Sequence, residues 1–218
     1  MTIHKKDDRF FTQNWTIRVP VHSRDLESNA PSGCVVVKNV NESNAQEWID
    51  SQTFVPMQAE KDVRKENLLN QCVQAKSRHD YMEVIAYLEP APGSEPTFIG
   101  FGELLEIPST TGRSTANAGI CIESDVRGRG LGTLLFLVLL RLACELDLEV
   151  IEAGTMKENQ GMRALARKLG LAETEEIKLH PNGSGAVVAD VMFNDIDVHG
   201  MLSNGAFADL DIVFQEFE

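Results

Sequence analysis

Cations are scarce in this chain. Its 218 residues hold 20 Lys and Arg against 33 Asp and Glu, a formal net charge of −13 with a pI near 4.8. That balance argues against nucleic acid and anionic membrane surfaces as partners, because phosphates would be repelled over most of the protein's face. A cationic or neutral amine would be tolerated or steered. Cysteine is sparse as well: Cys34, Cys72, Cys121 and Cys144 stand far apart with no C-x-x-C pair, which speaks against zinc sites and redox motifs. Cys121 falls in a core-strand pattern and Cys144 in an apolar helix, so the cysteines read as buried free thiols in a reducing compartment. Long apolar runs are missing. The longest, residues 131–144, is interrupted by Arg141 and is too short to cross a bilayer. Residues 1–11 are polar and charged with no apolar stretch that could act as a signal peptide. A cytoplasmic protein with no membrane segment is expected, and no repeat or low-complexity tract interrupts it.

What the chain does have is a glycine cluster, Arg127-Gly128-Arg129-Gly130-Leu131-Gly132-Thr133, set between a strand-like Ala118-Gly119-Ile120-Cys121-Ile122-Glu123 and an apolar helical run to Leu146. The pattern predicts an anion cradle. Glycines at 128, 130 and 132 lack the Cβ atoms that would hold a phosphate away, so successive backbone N–H groups can converge at the positive end of the following helix. Arg127 and Arg129 add mobile cations at the rim. A P-loop would require G-x-x-x-x-G-K-[ST], and no Lys follows these glycines. The interval is G-x-G-x-G rather than the G-x-G-x-x-G of a dinucleotide fingerprint.

What remains is R-x-x-G-x-G, spelled by Arg127, Gly130 and Gly132. It resembles the pyrophosphate-binding motif of the GNAT superfamily of acyl-CoA-dependent N-acyltransferases. Downstream, Glu158-Asn159-Gln160-Gly161-Met162 leads through a helical stretch to Arg167-Lys168-Leu169-Gly170-Leu171. This is similar to the second signature of that superfamily, in the form carried by its ribosomal-protein and amino-sugar N-acetyltransferase branch. The resemblance covers roughly residues 33–195. It implies the α/β GNAT fold, a central mixed, mostly antiparallel sheet of about seven strands flanked by about four helices. Residues 33–195 would form the acetyltransferase domain, 1–32 an N-terminal extension with a possible edge strand, and 196–218 an acidic tail without an assigned role.

Patterning along the chain agrees with that plan. Residues 15–21 alternate as a short edge strand ended by Pro20, and 34–38 form the first core strand. Asn41 caps a helix to about residue 50, and 59–76 form a second amphipathic helix. In the superfamily these two helices usually flank the acceptor pocket. Residues 81–88, 98–107 and 116–123 form an antiparallel meander joined by turn-rich segments. A core helix over 130–146, a strand at 150–155, a helix at 160–169 and a closing hairpin of 174–179 with 186–193 complete the expectation.

The resemblance also implies the chemistry, acyl transfer from a thioester to an amine. The strand before the cradle would bulge and splay from the 150–155 strand, leaving a gap for pantetheine beside Ile120, Cys121 and Ile122, with Gly128 to Thr133 and the two arginines around the pyrophosphate. A backbone N–H near Ile122 would polarise the thioester carbonyl, and Asn159 would contact the pantetheine arm or cap its own helix. An alkylamine, with a pKa near ~10.4, must lose a proton before it attacks. Glu103, Glu123 and Glu152 are the candidate bases, and Glu103 is preferred because its strand, Phe98-Ile99-Gly100-Phe101-Gly102-Glu103-Leu104, is otherwise strongly apolar. His79 and His180 read as loop residues.

The acid side departs from the family. The residue where many relatives carry Tyr is Ala166, and the position of the branch's Ser is Met162. Thr155 or water would have to protonate the leaving thiolate, whose pKa near ~8.5 makes it a tolerable leaving group. The expected activity is transfer of an acetyl group from acetyl-CoA, without a metal, to a primary amine of a small-molecule or amino-acid-like acceptor, by a monomer or homodimer. A non-catalytic acyl-CoA-binding protein and a protein N-terminal acetyltransferase are the alternatives.

Overall fold

The structure, a computed structural model, describes residues 10, 14–21, 33–40, 44, 49–50, 66–67, 70, 81–107, 112–179, 187–203 and 213–214. Alternation builds its first strands. In β1 (Thr16–Val21) Ile17, Val19 and Val21 are buried while Arg18 and Pro20 reach outward. In β2 (Gly33–Asn39) Cys34 to Val37 are consecutively apolar, and in β3 (Tyr81–Glu89) Tyr81 through Leu88 are all buried, Glu83 being the one charged residue among them. A strand buried on both faces must be covered on both sides. One cover is the main core, and the other is a smaller cluster of Val40, Ile49, Ile85 and Tyr87 with Phe98 and Phe101 packed on it.

β4 (Thr97–Ile107), β5 (Thr115–Ile122), β6 (Val150–Thr155), β9 (Val191–Asp197) and β10 (Val213–Phe214) complete an eight-stranded sheet in the order β10-β1-β2-β3-β4-β5-β6-β9. Every pairing is antiparallel except β5 with β6. A parallel pair needs a crossover, supplied by a short 3₁₀ turn, Ser124–Val126, and helix α1, Leu131–Glu145. Leu135, Phe136, Leu139, Leu140 and Leu142 of α1 are essentially inaccessible, because α1 is wedged between the sheet and two further helices, α2 (Gln160–Lys168) and α3 (Val198–Ser203). The expected mixed α/β layout is thus the observed one.

Four details differ from the sequence reading. β1 is not an edge, since the tail strand β10 pairs with its Ile17 and Arg18. Pro20 lies past that pairing, and among the described residues no strand meets the outer side of β1 there, so its missing N–H costs no ladder bond. The expected 186–193 strand divides at Asp190: β8 (Val187–Ala189) pairs with a short β7 (Lys178–Leu179), while β9 joins β6. The bend is tied by Asp190 N–H to the Thr155 carbonyl and by Lys157 N–H to the Asp190 carboxylate. Of the residues beyond 195, the described 196–203 and 213–214 belong to the same body, with Met201 and Leu202 of α3 packed on the main core and β10 paired to β1. The cysteines Cys34, Cys121 and Cys144 are free but half-buried rather than buried. Most of the two helices expected at 41–50 and 59–76, together with Cys72, His79 and His180, lies outside the described residues.

Candidate active site

The parallel pairing of β5 and β6 is short. It comprises Thr115 with Val150, Ala116 with Ile151 and Asn117 with Glu152, and then stops. Beyond that point β5 continues to Ile122 against β4 alone, and β6 continues to Thr155 against β9 alone, so the sheet splits. The closed end is pinned by Ser114 and Glu149, whose amides and side chains bond reciprocally at 3.0–3.2 Å. The Glu123 amide donates to the Ile99 carbonyl of β4 at 3.0 Å. Successive strand amides point to opposite edges, so the Ile122 and Ile120 amides face the split. The expected bulge in this strand is absent. β5 holds register with β4 throughout, and the irregularity falls at Ile99 of β4, between the Ala86–Gly100 and Tyr87–Phe98 pairs.

The glycine cluster lies where β5 leads into α1. Gly128 and Gly130 sit at φ 72° and 80°, left-handed values that a side chain resists, and Gly130 is the N-cap of α1. The first helical bond runs from Leu134 N–H to the Gly130 carbonyl. Among the described residues, no backbone or side-chain acceptor meets the amides of Gly128, Arg129, Gly130, Leu131, Gly132 or Thr133. Six adjacent amides without acceptors at a helix N-terminus are suited to an anion.

Two expectations about this loop are corrected. Arg127 and Arg129 are exposed but not loose: Arg127 Nε donates to the Ile122 carbonyl at 2.8 Å and an Arg129 terminal nitrogen to the Asp125 carbonyl at 3.1 Å, so both staple the loop. Gly132 does not clear a path for phosphate. A Cβ there would point away from the amides into ordinary contact with Ile122, Leu165 and Ile120 at 3.4–3.8 Å, where α1 meets β5 and α2.

Glu103 is on the face of the sheet turned away from α1. Its neighbour Gly102 faces α1, since a Cβ there would touch Leu139 at 3.0 Å. Glu103 pairs with Glu83 on one side and Gly119 on the other. Its carboxylate leans across β5, where Oε1 is 2.9 Å from the place a Gly119 Cβ would occupy, at the border of the split. Water reaches the side chain, yet burial pushes its carboxyl above the ordinary carboxylate value. Among the described residues its carboxylate has no hydrogen-bond donor. Glu83, buried beside it, accepts from the Tyr81 hydroxyl at 2.7 Å.

The remaining candidates separate by position. Glu152 faces the same side but lies 3.9 Å from Lys178 Nζ, and Glu123 is half-buried at the start of the 3₁₀ turn. Thr155 is buried and, by alternation, shares the face of Ile151 and Ala153, opposite Glu103. Ile120 and Ile122 turn toward α1, while Cys121 pairs with Phe101 on the Glu103 side. Asn159 caps α2, its Oδ1 accepting from Met162 N–H at 3.1 Å; its amide nitrogen makes no bond among the described residues. Ala166 is fully buried and Met162 half-buried against the core, and neither side chain carries a proton donor. α2 ends with Gly170 at φ 71°, where Leu171 N–H reaches the Ala166 carbonyl, a left-handed cap that accounts for the glycine of the second signature. An Arg163–Glu173 fork holds the helix to the following segment, keeping Glu173 below its ordinary value.

Sequence reasoning missed Glu83, Asn117 and Lys178 and the close approach at Gly119; Glu152 was a candidate base, and its contact with Lys178 was not foreseen. Signals existed: glycine inside a strand marks a close approach, and Asn is uncommon there.

A split mixed sheet with an amide cradle at its mouth defines an acyltransferase of the GNAT class. The family model described as Acetyltransferase (GNAT) domain matches residues 34–172, and the chain belongs to this family of N-acetyltransferases. No curated protein sequence matches it. Among solved structures it is similar to RimL, a ribosomal L7/L12 alpha-N-protein acetyltransferase in complex with coenzyme A, at 13% identity and TM-score 0.56, covering 75% of this chain and 94% of that one. It is similar to Mycobacterium smegmatis RimJ in complex with CoA-disulfide, at 17% identity and TM-score 0.53, covering 90% and 96%. Spermidine/spermine N-acetyltransferase SpeG from Vibrio cholerae aligns at 17% identity and TM-score 0.55, covering 77% and 95%. Identities this low establish the shared fold. Among the described residues no helix is long and apolar enough to cross a membrane.

Proposed function

We propose that the protein moves an acetyl group from acetyl-CoA to the primary amine of a small, amino-acid-like or cationic acceptor by direct attack on the thioester. The observation that carries this reading is the alignment of three features: acceptor-free amides from Gly128 to Thr133, a split beginning at Asn117 and Glu152, and Glu103 at its border. The cradle takes the pyrophosphate. Pantetheine enters the split and bonds the Ile120 and Ile122 backbone as an added strand would, with the Asn159 amide nitrogen as a further donor. The Ile122 amide faces the developing oxyanion.

Glu103 then removes the ammonium proton, directly or through water. Its raised affinity for a proton suits that task, whereas Glu152 has a cation beside it. Glu83 and Glu103 together favour a positively charged acceptor. Thiolate protonation is left to water, because Thr155 is buried on the other face and Met162 has no proton to give.

The test supplies acetyl-CoA with a panel of amino acids, polyamines and a peptide with a free N-terminus, and follows release of free CoA thiol. Turnover with a small amine supports the reading. Turnover with the peptide alone would assign a protein acceptor, and saturable acetyl-CoA binding without turnover on any amine would refute transferase action.

A further inference from the structure

The place where the split begins is built from side chains. Asn117 and Glu152 are the last residues paired between β5 and β6, and on the Glu103 face both meet Lys178 of β7. With the Asn117 amide oriented to satisfy both its atoms, Nδ2 donates to the Glu152 backbone carbonyl at 3.2 Å and Oδ1 accepts from Lys178 Nζ at 2.8 Å. Nζ also lies 3.9 Å from Glu152 Oε2. A parallel ladder would continue by backbone bonds; here the Asn117 side chain takes the Glu152 carbonyl, and the two strands cease to pair.

Lys178 itself is held in place by its hairpin. It pairs with Ala189 of β8, and the Ala189 methyl lies 2.8 Å from where a Gly154 Cβ would stand on β6, so β8 rests directly on that strand. Ile177 and Leu179, on either side of Lys178, are exposed, so of these three residues only the lysine turns toward the sheet.

We propose that Lys178, with Asn117 and Glu152, is a clamp that sets how far β5 and β6 part, and is therefore a positioning residue for the pantetheine arm. This rests on the reading of the split as the pantetheine channel. The clamp contributes nothing to the cradle, which is at the opposite end of β5.

Calorimetric titration of the full chain with two ligands separates the possibilities: CoA, which spans cradle and split, and adenosine 3′-phosphate 5′-diphosphate, which has the anionic groups but no pantetheine. Lys178→Met should weaken CoA about tenfold, the scale of one charged hydrogen bond, and leave the truncated nucleotide within about twofold. Lys178→Arg should recover most of the CoA affinity. Asn117→Asp, which keeps an acceptor for Lys178 but loses the donor to the Glu152 carbonyl, should also weaken CoA alone. Unchanged CoA affinity in both Lys178→Met and Asn117→Asp overturns the clamp, as does an equal loss for the two ligands. If the parent protein binds the truncated nucleotide as tightly as CoA, the channel reading itself falls and takes the clamp with it.

Discussion

Replacing Glu103 by Gln is the most searching perturbation, because it changes one oxygen at a carboxylate that is raised by burial and has no hydrogen-bond donor among the described residues. If Glu103 takes the ammonium proton, turnover should fall by about 10²- to 10⁴-fold, a barrier increase of about 2.7–5.4 kcal/mol. The KM for acetyl-CoA should stay within about twofold, since the cradle is at the far end of β5. In the parent, the acid limb of kcat/KM should report the ionisation of Glu103 above the ordinary carboxylate range, and the variant should lose that limb.

Stability should move the other way. A carboxyl whose pKa is higher folded than unfolded contributes most below its unfolded value and loses that contribution as pH rises through its folded value. The Gln variant has no such loss, so its Tm advantage over the parent should grow from acid to neutral pH, modestly, because water reaches the side chain. Thermal melts across that range, beside steady-state kinetics, provide both readouts. Turnover within a few-fold of the parent would remove Glu103 as the base and leave Glu123; a Tm below the parent's at neutral pH would contradict the desolvation argument.

Gly119→Ala should push the Glu103 carboxylate from its place over β5, lowering kcat about tenfold while calorimetric CoA affinity holds. Gly132→Ala should fold and bind CoA within about twofold, whereas Gly132→Val, crowding Ile122 and Leu165, should cost about 1–3 kcal/mol in denaturant melts. Asn159→Asp retains the cap on Met162 N–H but loses the amide donor; unchanged Tm with a KM for acetyl-CoA raised about three- to tenfold would assign that nitrogen to the ligand, and parent-like kinetics would leave it only the cap.

The strands were legible because their signal is local. Ile17, Val19 and Val21 alternate, Tyr81 to Leu88 is apolar but for Glu83, and the R-x-x-G-x-G spacing announces a helix start by itself. What could not be read is set by neighbours distant in sequence. Nothing near residue 15 reveals that residues 213–214 will cover β1, and nothing near Gly132 tells that its missing Cβ faces Leu165 rather than solvent. The cap at Asn159 was visible as a residue type, but its Oδ1 can be seen to be taken only once Met162 N–H is placed. What distinguishes Glu152 from Glu103 is Lys178, a hairpin residue 26 positions after Glu152, and that neighbour is invisible in the local sequence.

Three residue pairs and the Ser114–Glu149 knot join one part of the sheet, β10 through β5, to the other, β6 with β9. Elsewhere along that seam, among the described residues, backbone groups face each other with no strand between them. A molecule lying there would act as a splint across two sub-sheets, so its binding energy would be spread through their junction rather than kept within a pocket. Slow amide exchange at Ile120 and Ile122, whose N–H groups face the split, would then depend on an occupied seam, making the local rigidity of this fold a property it shares with its ligand.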